Sequence, residues 1–211
     1  MRITIFGANG KVGRLVVEKS LDKGYKVVAF SHGKTTFRSS ENLQIFQGDI
    51  YDMQNVEKAI KESEVVISTL GSWGTPNKDI LTAGMKNIIP SMQRHNIKRI
   101  ISLTGADAFM QGDKYSIISK IAHFLISLTA KKILKDGESH IQLLKGSDLD
   151  WTIIRSPVMN ERGESGRFTL TNKKIMPWST INRNSVALCM VEQINDHRYI
   201  KQAPYIKRSH A

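Results

Sequence analysis

Short apolar runs alternate along this chain with longer stretches in which apolar positions recur every three or four residues. Met1–Phe6, Tyr25–Phe30, Leu43–Phe46, Val65–Leu70, Lys98–Leu103 and Trp151–Arg155 are the short runs, and they predict six strands. Val65–Leu70 is continuously apolar, as a strand buried on both faces of a parallel sheet requires. Helical spacing predicts helices over Arg14–Leu21, from Asp52 through Val56, Ala59 and Ile60, over Asn77–His95, through Ile141, Leu144 and Lys145, and over Val186–Ile194. Strand–helix alternation predicts an α/β fold with a doubly wound parallel sheet and helices on both faces. The 211 residues fit one domain, 1–211. Substrate-side loops are expected from about 105–140 and 156–182, because such folds bind ligands at the carboxyl ends of their strands. Within the second lies the longest irregular stretch, Ser156–Trp178.

The segment between the first strand and the first helix is Gly7-Ala8-Asn9-Gly10-Lys11-Val12-Gly13. Its spacing is G-x-x-G-x-x-G and not that of a P-loop. Strand, glycine-rich turn and helix together form the setting in which glycines bind a dinucleotide. Gly7 allows a tight turn, Gly10 lets the backbone approach a pyrophosphate, and Gly13 lets the helix pack close to the strand. The helix start offers unpaired N–H groups and a positive dipole end to phosphates.

The loop after the second strand bears on which dinucleotide fits. A site that prefers NAD(H) usually places a carboxylate there, on the ribose hydroxyls. No acidic residue occurs between Asp22 and Glu41, whereas Ser31, His32, Lys34, Thr35 and Arg38 do. Hydroxyl and cationic groups attract a 2′-phosphate, so NADP(H) is expected over NAD(H).

A net charge of +12 points to anionic ligands. The basic residues are scattered and no nucleic-acid-binding signature accompanies them, so no nucleic-acid partner is expected. Cys189 is the single cysteine, which excludes a disulfide framework. The chain enters a strand at once and holds no apolar run of the roughly 18 residues that a transmembrane helix needs. A cytoplasmic protein with neither membrane partner nor metal is expected, monomeric or weakly dimeric.

These motifs resemble an atypical short-chain dehydrogenase/reductase of the NAD(P)H-binding, NmrA-like group, with a Rossmann-type domain. Within it the chain is most similar to the flavin reductase/biliverdin-IXβ reductase branch and to bacterial NADH-flavin reductase-like proteins. The resemblance rests on Ile5–Gly13, Gln47–Ile50, Val65–Gly71, Gly84–Ile88, Lys98–Thr104, Leu149–Arg155 and Ile181–Ala187, and spans almost the whole chain. It implies that Asn9, Gly10, Lys11 and Val12 cradle the pyrophosphate and that Asp49 and Ile50 flank the adenine. Thr69, Leu70 and Gly71 would lie along the nicotinamide half. Thr104 and Gly105 would face the reacting ring, with Ser156, Pro157 and Val158 on the opposite wall.

The chain departs from the alcohol-oxidising pattern, in which a Lys follows a Tyr by four residues. Tyr115 is followed at that distance by Ser119, and Lys120 falls about 140° away around a helix. The histidine expected beyond the sixth strand is replaced by Val158. A site poor in acid–base groups is therefore expected, with Thr104 the nearest catalytic candidate. Such a site suits hydride transfer from NADPH to a flat acceptor such as FMN, FAD or a quinone, with the proton drawn from solvent. A non-catalytic NADP(H)-sensing regulator of NmrA type is the alternative reading. His123 and His140 read as surface or packing residues, with an approach of His140 to the pocket, from the helix before the sixth strand, as the alternative. Between Asp113 and Lys135, Ile117, Ile118, Ile121, Phe124, Leu125 and Leu128 predict an amphipathic helix whose apolar side packs into the core. A pocket lid or a dimer surface is the alternative role for it, with membrane docking placed last.

Overall fold

Six parallel strands carry the fold: β1 (Arg2–Phe6), β2 (Lys26–Ser31), β3 (Leu43–Gln47), β4 (Val65–Ser68), β5 (Arg99–Gly105) and β6 (Asp150–Ser156). The computed structural model describes residues 1–163 and 165–209. Four short strands follow: β7 (Val158–Asn160), β8 (Thr169–Thr171), β9 (Thr180–Asn182) and β10 (Tyr205–Lys207). The main sheet runs β3-β2-β1-β4-β5-β6-β10-β8, with only β8 antiparallel to its neighbour. β7 and β9 pair separately. The order reverses direction between β1 and β4, and there a doubly wound sheet opens a ligand crevice at its carboxyl edge.

Among the described residues, five helices cover the two faces. α1 (Lys11–Asp22) and α5 (Arg183–Glu192) pack on one side, over a core of Ile3, Ile5, Val16, Ile67, Ile101 and Met190. α2 (Met53–Ile60), α3 (Ile80–Arg94) and α4 (Ile117–Lys145) cover the other, over Phe6, Val28, Ile60, Val66, Met85 and Ile141. β1 and β4–β6 are buried through nearly every residue, the two-sided burial that a helix-covered parallel sheet imposes.

Three sequence expectations change. The Ser156–Trp178 stretch is not irregular throughout, because β7 and β8 lie within it; its residue 164 is outside the described residues. Tyr115 is not on a helix at all, since Ser116 caps the start of α4. The segments expected as two helices, around 117–128 and around Ile141, form one α4 of 29 residues bent at Ala130.

The expected core packing of α4's first half is also corrected. At about 1.5 Å per residue α4 is roughly 43 Å long, against roughly 23 Å for seven-residue β5. Only the second half can lie on the sheet, and burial follows, with Leu134, Gly137, His140, Ile141 and Leu144 inside. The first half overhangs the carboxyl edge, and Ile117, Ile118, Ile121, Phe124, Leu125 and Leu128 are exposed.

Candidate functional site

The turn after β1 is shaped by two close approaches. Gly7 has φ of 74°, and a Cβ there would lie 2.9 Å from the Thr69 carbonyl carbon and 3.0 Å from the Leu70 nitrogen. A Cβ on Gly13 would sit 2.1 Å from the Gly7 oxygen, so α1 rests directly on the turn. Gly10 is the N-cap and supplies no side-chain cap, and the first turn of α1 carries no acid. Its leading amides are therefore not claimed by a capping side chain, and the dipole end faces the crevice uncompensated. Thr69 braces the far side, its hydroxyl donating to the Phe6 carbonyl at 2.8 Å.

Arg14, which the motif spacing did not single out, joins this turn to the loop after β2. Its guanidinium donates to the Asn9 side chain, to Thr35 Oγ1 at 3.3 Å and to the Thr36 carbonyl at 2.9 Å, and it covers the Phe37 ring. Thr35 Oγ1 also donates to Asn9 Oδ1 at 2.9 Å. An arginine one residue past the last glycine, facing a loop without carboxylates, is the signal that would have flagged it. Ser31 is buried and donates to the Gly33 carbonyl at 2.9 Å, whereas His32, Lys34 and Arg38 are exposed on the same loop as Thr35.

Asp49 closes a local turn by accepting the Tyr51 amide at 3.0 Å. The side chains of Ile50 and Leu70 are buried in the core against Gly84, which leaves their backbones for any cofactor contact. Gly71 is exposed, with open space where a Cβ would be.

At the carboxyl ends of β5 and β6 the structure brings together acid–base side chains from separate loops. Thr104 is buried with its hydroxyl against Gly137, and Gly105 is exposed. Ser156 accepts the Ala106 amide on its carbonyl at 2.8 Å and donates its hydroxyl to Pro157, while Val158 is exposed. Lys174, from the segment after β8, reaches the same place and donates its ammonium to the Ala106 carbonyl. The rings of Tyr205, Phe109 and Tyr115 surround Nζ at 5.0, 5.3 and 5.7 Å. Burial lowers the Lys174 pKa to about 8, against the opposing pull of Asp107.

Behind this cage, Arg155 is 1 % exposed, stacks 3.8 Å over Tyr205 and pairs with Asp113. Tyr115 accepts the Met110 amide at 2.6 Å and donates to Asp113 at 2.8 Å. Burial raises its pKa to about 12, so its phenol is not the activated tyrosine of an alcohol dehydrogenase. A Tyr and a Lys do converge here, but from separate loops and with the lysine as the tuned member.

The two histidines have packing roles, as the sequence suggested. His140 is wholly buried, 2.8 Å from Ser102 Oγ, and burial lowers its pKa to about 4. His123 stacks on Phe109 and approaches the Asp107 carbonyl at 3.0 Å. An open groove of about 860 Å³ runs between α3 and α4, lined by Lys86, Phe109, Tyr115, Lys135 and Glu138 among others. It shares Phe109 and Tyr115 with the lysine cage and touches no residue of the glycine turn.

A sheet wound both ways from a glycine turn, with an uncapped helix start at its switch point, defines a Rossmann-type nucleotide-binding domain. The chain belongs to the NAD(P)H-binding family, whose model matches residues 7–197. It is 22% identical over 205 residues to an uncharacterized chloroplastic protein of Arabidopsis thaliana, spanning 92% of this chain and 71% of that one. It is 32% identical over 108 residues to a phenylcoumaran benzylic ether reductase of Nicotiana tabacum, which covers 46% of this chain and 33% of the tobacco protein. Among solved structures, a short-chain dehydrogenase/reductase from Veillonella parvula in complex with NADP superposes with a TM-score of 0.80 at 17% identity, over 98% of this chain and 94% of that one. An anaerobillin reductase from Escherichia coli O157:H7 superposes with a TM-score of 0.74 at 21% identity, over 100% and 98% of the two chains.

Proposed function

We propose that the chain is an NADPH-dependent reductase of a flavin, a quinone or a similarly flat acceptor, acting by direct hydride transfer. The observation that carries this reading is the Lys174 ammonium, caged by three aromatic rings at the carbonyl of Ala106, one residue past the expected ring-facing Gly105. A regulator that only senses the cofactor has no need of a partly desolvated lysine beside the reacting ring.

Bound NADPH supplies the hydride. The first-turn amides of α1 hold its pyrophosphate, and Arg14 with Thr35, Lys34 and Arg38 takes the 2′-phosphate, which favours NADP(H) over NAD(H). Lys174 delivers the matching proton to the acceptor and recovers one from solvent, so one hydride and one proton are consumed per turnover. Asp113 and Arg155 fix Tyr115 and Tyr205 around it. The test is NADPH consumption with FMN, FAD and a panel of quinones, beside calorimetry of NADP⁺ and NAD⁺ binding. Turnover with at least one acceptor and tighter NADP⁺ binding are expected. Intact NADP⁺ binding without turnover on any acceptor overturns the reductase in favour of an NmrA-type sensor.

A further inference from the structure

The overhanging half of α4 is inverted relative to an ordinary surface helix. Its six large apolar side chains, Ile117, Ile118, Ile121, Phe124, Leu125 and Leu128, are 51–77 % exposed. At about 100° per residue they fall on one arc of roughly 120°. The opposite side faces the protein, and it is made of Ser119, His123, Ile126 and Ala130, with Ile126 its one large aliphatic side chain. A helix normally buries its apolar stripe. A contiguous apolar face turned outward marks a surface that something else covers.

The surrounding charge identifies what covers it. Lys114, Lys120, Lys131, Lys132 and Lys135 are exposed on and beside this helix, and no acidic residue occurs between Asp113 and Asp136. A second copy of the chain would bring two lysine-rich rims together. Six side chains also fall well short of the 20–30 residues a side, roughly, of a stable protein interface. Apolar side chains framed by lysines match an interfacial helix on an anionic bilayer, to which each nearby lysine adds electrostatic attraction. Lysine stems can lie along the apolar face while their ammonium groups reach the headgroups. Trp73 and Trp178, 69 % and 68 % exposed, lie in loops at the same carboxyl edge of the sheet, and tryptophan favours the bilayer interface. Among the described residues no helix is long and apolar enough to cross a membrane, so the contact lies in the plane of the interface.

We infer that residues 117–128 of α4 dock the protein on a membrane surface bearing anionic lipid headgroups. This reverses the sequence expectation of no membrane partner, and it stands independently of the reductase reading. The experiment is co-sedimentation of the full chain with phosphatidylcholine vesicles, with and without phosphatidylglycerol, at low and high salt. Binding to the phosphatidylglycerol vesicles that weakens with salt is expected. The double variant Phe124→Glu with Leu128→Glu is expected to weaken it more than about tenfold, since it removes two buried apolar side chains and adds two like charges facing the lipid. The variant Lys131→Glu with Lys132→Glu provides an independent arm, and it is expected to bind more weakly and with a shallower salt dependence. Wild-type protein that stays in the supernatant with anionic vesicles overturns the inference. So does undiminished binding by the double apolar variant. A wild-type dimer in sedimentation equilibrium that the apolar variant separates into monomers overturns it too, and assigns the face to a second copy.

Discussion

Asp136, on α4, caps a helix that is not its own: its carboxylate accepts the amide of Thr82 at 2.8 Å, in the first turn of α3. The same carboxylate accepts the Leu81 amide at 3.1 Å and the Ser72 hydroxyl. Asp79, the local N-cap of α3, makes no cap bond and instead accepts the Tyr51 hydroxyl at 2.8 Å. A buried carboxylate at a helix N-terminus is held by the dipole and by the otherwise unpaired amides. Asp136→Ala is expected to destabilise the protein by about 2–4 kcal/mol, because it strands several buried donors at once. Chemical denaturation measures this. A loss under about 1 kcal/mol would mean that water replaces the carboxylate without penalty.

The glycine turn yields a contrast between two substitutions. Gly13→Ala places a methyl group 2.1 Å from the Gly7 oxygen, against backbone that has no room to yield. It is expected to cost about 1–3 kcal/mol or more and to abolish dinucleotide binding. Gly71→Ala meets nothing within 4 Å and is expected to leave stability unchanged. Thermal melts and NADP⁺ calorimetry on both variants read the difference.

Cofactor choice is expected to depend on the loop that Arg14 touches. Arg14→Ala should weaken NADP⁺ binding by roughly tenfold to a hundredfold, the range of a lost charge-assisted hydrogen bond, and weaken NAD⁺ binding less. Lys34→Glu should shift the preference towards NAD⁺. Equal losses for both dinucleotides would remove the 2′-phosphate from this loop.

In the proposed reduction Lys174, whose pKa burial lowers to about 8, is expected to set the pH profile. With the ammonium form as the proposed proton donor, turnover is expected to be full below pH 8 and to fall towards tenfold per unit above it. Lys174→Met should lower turnover by roughly 10²–10⁴-fold and abolish that alkaline limb. An unchanged limb in the variant would assign it to another group.

Acid should weaken the fold through His140. Burial holds its pKa at about 4, below the ordinary 6.5, so the folded state binds its proton later than the unfolded state does. This stability is fully present above pH 6.5 and is lost progressively as the pH falls towards 4. The loss is on the order of 2–3 kcal/mol. Denaturation curves at pH 7.5 and 4.5 measure it, and His140→Gln should flatten the difference.

The six parallel strands and the glycine turn were legible because their signals are local. Two-sided apolar runs such as Val65–Leu70 specify a covered parallel strand, and Gly7, Gly10 and Gly13 act within one turn of chain. β7, β8, β9 and β10 escaped because three residues cannot display a period. The cluster at the carboxyl ends of β5 and β6 was mostly hidden. Lys174 was one basic residue among many, and no motif linked it to Tyr115 or Ala106.

By itself, the amino-acid order determined the winding of the sheet, the place of the glycine turn and the absence of a carboxylate after β2, since each depends on neighbours in the chain. Tertiary structure alone decided that Lys174 meets Tyr115, that Asp136 caps α3 and that Arg14 reaches Thr35. It also decided which way the stripe on α4 faces. Periodicity specifies that a helix has an apolar side, but the lengths of the elements beneath it dictate whether that side finds a core or projects past the edge of the sheet.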